Sequence, residues 1–108
     1  MTARLPTRLL VDALLRRAND RGDMGMVLAR GDRDAGGLLV IVVDRDGTER
    51  ILERRLDFDG RATLVDVTPA NDITNYRERR RAQDPDLWIV ELNVPEPERF
   101  IAETLGQG

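Results

Sequence analysis

The sequence predicts an α+β fold: a mainly antiparallel five-stranded sheet with helices packed largely on one face. Three observations carry that expectation. A stripe of apolar residues at helical spacing opens the chain, four short strand-like runs separated by turn residues follow it, and two further helical segments bracket a fifth strand. At 108 residues and 12.2 kDa the length suits one domain spanning 1–108. The 41% apolar and 34% charged residues place the chain among ordered globular proteins, away from the disordered class.

The first helix covers residues 5–21, where Leu5, Leu9, Leu10, Ala13, Leu14 and Ala18 fall on one face, widened by Val11 and Leu15. Arg8, Asp12 and Arg16 lie opposite, so one side stays in water. Thr7 is the expected N-cap, and Asn19, Asp20 and Gly22 supply the stop, with glycine suited to a left-handed residue after the last turn.

Strand-like runs follow at residues 24–30, 37–44, 48–58 and 62–68. Asp46-Gly47 and Asp59-Gly60 separate the last three. Asp-Gly between two such runs signals a hairpin, because both central residues of a type I′ turn need positive φ, and it implies antiparallel neighbours. The segment 38–43, Leu-Leu-Val-Ile-Val-Val, has no polar face and reads as a central strand covered on both sides. The third run carries Glu49, Arg50, Glu53, Arg54 and Arg55 and is expected nearer an edge, where charge discourages aggregation.

Asn71 and Asp72 start a helix over residues 73–83, which ends before Pro85 because the residue preceding proline avoids the helical region. Its apolar stripe is only Ile73 and Tyr76, aided by the stem of Arg80, so its anchoring is weak. Residues 87–94 form the fifth strand, with Trp88, Val90, Leu92 and Val94 on one face and Leu87, Ile89 and Glu91 on the other. A short helix over 96–105, with Pro97 in its first turn, closes the chain.

Composition removes several chemistries. The sequence contains no His, Cys, Ser or Lys; its hydroxyls are seven threonines and Tyr76, and all 17 basic residues are arginine. Serine and cysteine triads, Schiff-base lysines, Walker phosphate loops and imidazole or thiolate zinc sites are therefore closed. Carboxylate acid–base chemistry, a hard cation on oxygen ligands, a hydroxyl and arginine as an anion clamp remain. A GC-rich genome accounts for the arginine bias without invoking selection for anion recognition. Absence of cysteine fits a reducing compartment. The N-terminal Met1-Thr2-Ala3-Arg4 stretch leads into no signal-peptide core, and no apolar run is long enough for a membrane helix, which makes the cytoplasm the expectation.

The run Arg77, Arg79, Arg80 and Arg81 is the strongest local charge feature, with Arg77, Arg80 and Arg81 as candidate binding residues. On a helix Arg77 and Arg81 share a face and could grip a phosphate or an acidic partner, with Arg54 and Arg55 as additions. The bland alternative is a solvated helix face, and a net charge of -3 argues against a nucleic-acid surface. Trp88, the only tryptophan, is a candidate partner anchor, though its alternating strand suits the core equally. The acidic pairs Asp32/Asp34, Asp44/Asp46, Asp57/Asp59 and Asp84/Asp86 have the residue types for Mg²⁺ or Ca²⁺, yet turn-forming carboxylates explain them more cheaply. Asp44-Arg45-Asp46-Gly47 has part of a calcium loop without its remaining ligands, and Arg30-Gly31-Asp32 matches the adhesion tripeptide by letters only.

Taken together, Arg4-Leu5-Pro6-Thr7-Arg8 leading into residues 11–17, Arg30-Gly31-Asp32 followed by Gly36, and Asp84-Pro85-Asp86-Leu87-Trp88-Ile89-Val90-Glu91 resemble a family of small bacterial proteins catalogued as domain of unknown function fourteen-ninety-one. The resemblance implies a compact domain and brings no activity, cofactor or catalytic residue with it. No catalytic residue, cofactor or metal site is assigned. The leading expectation is a non-catalytic binding or assembly module with a homo-oligomeric or protein partner and no membrane. Arginine-mediated binding of an anionic ligand or nucleic acid comes second. A Mg²⁺-dependent hydrolase using Asp32, Asp34, Asp84, Asp86 and Glu91 comes third.

Overall fold

In the computed structural model, which describes residues 5–105, the elements follow in the order α1 (Thr7–Asp20), β1 (Met24–Ala29), β2 (Leu38–Val43), β3 (Glu49–Leu56), β4 (Ala62–Asp66), α2 (Ile73–Gln83), β5 (Trp88–Asn93) and α3 (Pro97–Thr104). Met1 to Arg4, which include the first residue of the family-like motif, lie outside the described residues. Among the described residues no helix is long and apolar enough to cross a membrane.

The five strands form one sheet in the order β1-β5-β2-β3-β4. The expectation of a mainly antiparallel sheet is met in part. Three neighbour pairs are antiparallel, but β5 enters parallel to β2 and separates it from β1, so the sheet is mixed. The Asp-Gly hairpins do join β2 to β3 and β3 to β4, but only the glycines take positive φ, Gly47 at 84 and Gly60 at 80, so the turns are not of the expected type I′. Those turns report only on their own strands. The chain comes back through α2 to insert β5 far from its sequence neighbours, which no local turn signal encodes.

Strand β2 is central: Leu38 to Val42 are buried on both faces, as its continuous apolar run requires. Alternation splits the core in two. Leu38, Val40, Val42, Leu52, Trp88, Val90 and Leu92 face α1 and α3, which contribute Val11, Leu14, Ala18, Phe100 and Ile101. Leu39, Ile41, Ile51, Leu87 and Ile89 form a smaller cluster on the other face, against Ile73 and Tyr76 of α2. Two helices thus share one face and the third covers part of the opposite one. Burying each large aliphatic side chain stabilises by about 1.5–3 kcal/mol, so the two-helix face carries most of the apolar driving force.

Thr7 is not the N-cap. Pro6 holds that place at φ -60 with no side-chain hydrogen bond, and the buried Thr7 hydroxyl donates to the Gly36 carbonyl at 2.6 Å. Helix α2 starts as expected, with the Asp72 carboxylate accepting from the Asn75 N–H at 3.0 Å, and none of its side chains is fully buried.

Candidate functional site

Because α2 has so little apolar contact, its arginines hold it to the sheet. Arg80 pairs with Glu53 of β3 at 2.7 Å and donates to the Tyr76 hydroxyl at 2.8 Å. Both partners are largely withdrawn from water, with the side chains of Arg80 and Glu53 24% and 16% exposed. Burial disfavours the Glu53 charge, but the Arg80 and Arg55 guanidiniums outweigh it and hold the carboxyl below its ordinary range; Glu53 in turn raises Arg80. Arg81 donates to two backbone carbonyls, Arg30 at 2.6 Å and Leu87 at 2.8 Å. Arg80 and Arg81 are therefore occupied in fastening α2.

Arg77 differs. With Glu78 and Arg81 it lines one wall of a cavity of about 320 Å³ whose floor is Leu28 and Ala29 of β1 and Ile89 of β5. Arg77 and Arg81 do share a face, as their spacing requires, but Arg80 points to a different strand. Arg54 and Arg55 do not join Arg77 and Arg81: Arg55 shares Glu53 with Arg80, pairing at 3.0 Å, while Arg54 lines a separate cavity of about 310 Å³ beside Asp34, Gly36 and Leu56. Trp88 is 2% exposed, with its indole N–H donating to the Asp32 carbonyl at 2.6 Å and the Arg30 guanidinium 5.8 Å from its ring centre. Its place is in the core, beneath the loop before β2.

The acidic pairs make turns. Asp32 accepts from the N–H groups of Asp34 and Ala35, Asp57 from those of Asp59 and Arg61, and Asp84 from that of Asp86. Asp44 and Asp46 both accept from the Thr48 N–H. Their mutual hydrogen bond lowers Asp46 to about 2 and raises Asp44. Among the described residues no three acidic side chains gather where they could hold a metal ion.

Around Trp88 the family-like motifs converge. The Asp86 carbonyl accepts from the Asp32 N–H at 2.9 Å, the Thr7 and Arg8 N–H groups donate to Asp34 and Arg33, and Thr7 reaches Gly36. A Cβ on Gly31 would stand 2.6 Å from the Asp86 carbonyl carbon, closer than real Cβ contacts come, and one on Gly36 would strike the Asp86 carbonyl oxygen. The three motifs thus form a clasp joining the start of α1, the β1–β2 loop and the start of β5, with Arg81 bracing it from α2. It is a packing device whose backbone groups bond one another.

Missed by the sequence reading was the outer edge of β1. Among the described residues this strand pairs on one side only, with β5, and Met24, Met26 and Leu28 are 59%, 48% and 39% exposed. The signal was present in Met-Gly-Met-Val-Leu-Ala, six residues without a charge; that the strand lies at an edge was not.

A mixed five-stranded sheet with two helices on one face, one on the other and a clasp at the start of its central strands defines a small α+β protein whose family-like motifs form a packing node. The chain belongs to the family described as protein of unknown function (DUF1491), whose model matches residues 5–102. It is 35% identical to a DUF1491 family protein from Caulobacter crescentus CB15. The crystal structure of that protein superposes with TM-score 0.79 over 90% of this chain and 94% of that one. An NMR structure of a DUF1491 family protein from Caulobacter crescentus CB15, also 35% identical, gives 0.76 over 92% of this chain and 94% of that one. The solution structure of protein Atu0922 from A. tumefaciens, 26% identical, superposes with TM-score 0.70 over 87% of this chain and 89% of that one. No curated protein matches the chain.

Proposed function

We propose that this protein is a non-catalytic binding or assembly module whose contact surface is the outer edge of β1 together with the adjoining wall of α2. The single observation that supports this most is the uncovered edge strand. Three large apolar side chains stand in water on a strand with free backbone hydrogen-bonding groups, beside an arginine-walled cavity. Edge strands of this kind are usually blunted by charge or proline, and β1 has neither within its span. Main-chain pairing supplies affinity in strand addition, and pockets for alternate side chains supply selectivity. Arg77 adds a preference for an acidic group next to an aliphatic one.

A photo-reactive residue at Met26, compared with one at the fully exposed Phe58 on the far hairpin, tests the surface in cells that express the protein naturally. Discrete adducts from position 26 and none from position 58 are expected. Equal adducts from both, or none from 26, overturn the proposal.

A further inference from the structure

We propose that the occupant of the β1 edge is a second copy of this chain, paired antiparallel about a two-fold axis at Met26, with Asp23 of each copy opposite Arg30 of the other. This rests on the reading of β1 as a contact surface and names its partner.

The register follows from the bulge in β1. Against β5 the ladder runs Met24↔Asn93, Gly25↔Leu92, Met26↔Glu91, Val27↔Val90 and then Ala29↔Ile89, so Leu28 is the inserted residue and Ala29 takes the next ladder position. In antiparallel pairing, opposed side chains lie on the same face of the sheet. A two-fold axis through Met26 therefore sets Val27 opposite Gly25, Ala29 opposite Met24, and Arg30 opposite Asp23. Every opposed pair falls on a common face. Met24 of one copy then packs over Ala29 and Leu28 of the other, into the cavity floored by Leu28, Ala29 and Ile89.

Charge complementarity selects this occupant. The strand is uncharged from Met24 to Ala29, with an acid immediately before it and a base immediately after it, so antiparallel self-pairing produces two opposite-charge contacts at once. Parallel self-pairing would set like charges together. Asp23 is only loosely engaged within the chain, with Arg21 at 3.6 Å, and Arg30 is exposed above Trp88. The contact is isologous, as closed dimers require. One strand edge and a few side chains bury less than the roughly 1,000 Å² of a tight complex, so the dimer is concentration dependent.

Sedimentation velocity on the full chain, up to about 1 mM (a Kd near the weak limit of specific association), reads the proposal directly. The wild type should move from the monomer to the dimer coefficient as concentration rises. Asp23→Arg and Arg30→Asp should each raise the dissociation constant at least about tenfold. An equimolar mixture of the two variants should recover the dimer, because the mixed pair has complementary charges at both ends. Met26→Arg, on an exposed side chain, should also be monomeric and guards against misfolding of the first two, with circular dichroism checking each.

A wild type monomeric throughout overturns the proposal, as does a dimer indifferent to the charge reversals or a mixture that stays monomeric. If self-association fails while position 26 still captures a different protein, the contact surface stands and only its occupant is wrong. If neither is seen, both fall.

Discussion

Replacing Gly31 with alanine should be far more damaging than one methyl group suggests. The added Cβ would lie 2.6 Å from the Asp86 carbonyl carbon and 2.7 Å from that of Leu87, with the Asp86 oxygen closer still. Carbon atoms in contact sit about 3.5–4.0 Å apart, so one backbone segment must retreat by about 1 Å. Overpacking of this kind costs about 1–3 kcal/mol. The retreat also pulls apart the Asp32 N–H and the Asp86 carbonyl, now at 2.9 Å, and disturbs the Trp88 indole bond to Asp32 at 2.6 Å. Each hydrogen bond lost adds about 0.5–1.5 kcal/mol, so with both lost the total is about 2–6 kcal/mol. In a domain of this size that lowers Tm by about 10–25 °C. Gly47→Ala is the matched control. Its φ of 84 makes it strained, but a Cβ there meets nothing within 4 Å, and the expected cost is about 1 kcal/mol. Thermal and urea unfolding of both variants decide the matter. Should Gly31→Ala prove no less stable than Gly47→Ala, the clasp does not hold the fold as described.

Two further outcomes follow from single contacts. Thr7→Val removes the donor to the Gly36 carbonyl and strands a buried acceptor, so the urea midpoint should fall by the equivalent of about 1–2 kcal/mol with an unchanged slope, whereas Thr7→Ser stays near wild type. Glu53→Gln should cost about 1 kcal/mol at neutral pH by weakening the tie to Arg80. The carboxyl of Glu53 is depressed in the folded protein, so its contribution is complete above the unfolded value of 4.5 and disappears as pH falls through the folded one. The stability gap between wild type and Glu53→Gln should therefore close below about pH 4.5, and a gap constant from neutral pH to pH 3 would contradict the ion pair's role.

Much of the fold was legible because its determinants are local. The α1 stripe, the two Asp-Gly hairpins, the limits of α2 and the two faces of β5 all depend on periodicity and turn geometry that a few adjacent residues dictate. The arginines of α2 stood out in the sequence, and Arg77 and Arg81 line the same cavity.

What they are for was not legible. Arg80 finds Glu53 and Arg81 finds the carbonyl of Arg30, 27 and 51 residues away in sequence, and the sparse apolar stripe of α2 is compensated by those bonds. Asp32 and Asp84 had the residue types of ligands, but the cheaper reading from sequence, as turn formers, is the one the structure bears out: each is used by its own turn.

The sequence by itself determined which segments are helix and strand, which strands turn back on their neighbours, and which chemistries the chain has no side chains to perform. Tertiary structure alone decided that β5 lies parallel to β2, that Gly31 and Gly36 close on the Asp86 carbonyl, and that β1 is left as an uncharged edge. The reason is physical: helices and hairpins are specified by contacts a few residues apart, whereas strand order depends on which distant segments bury each other best, a choice made by the whole chain at once.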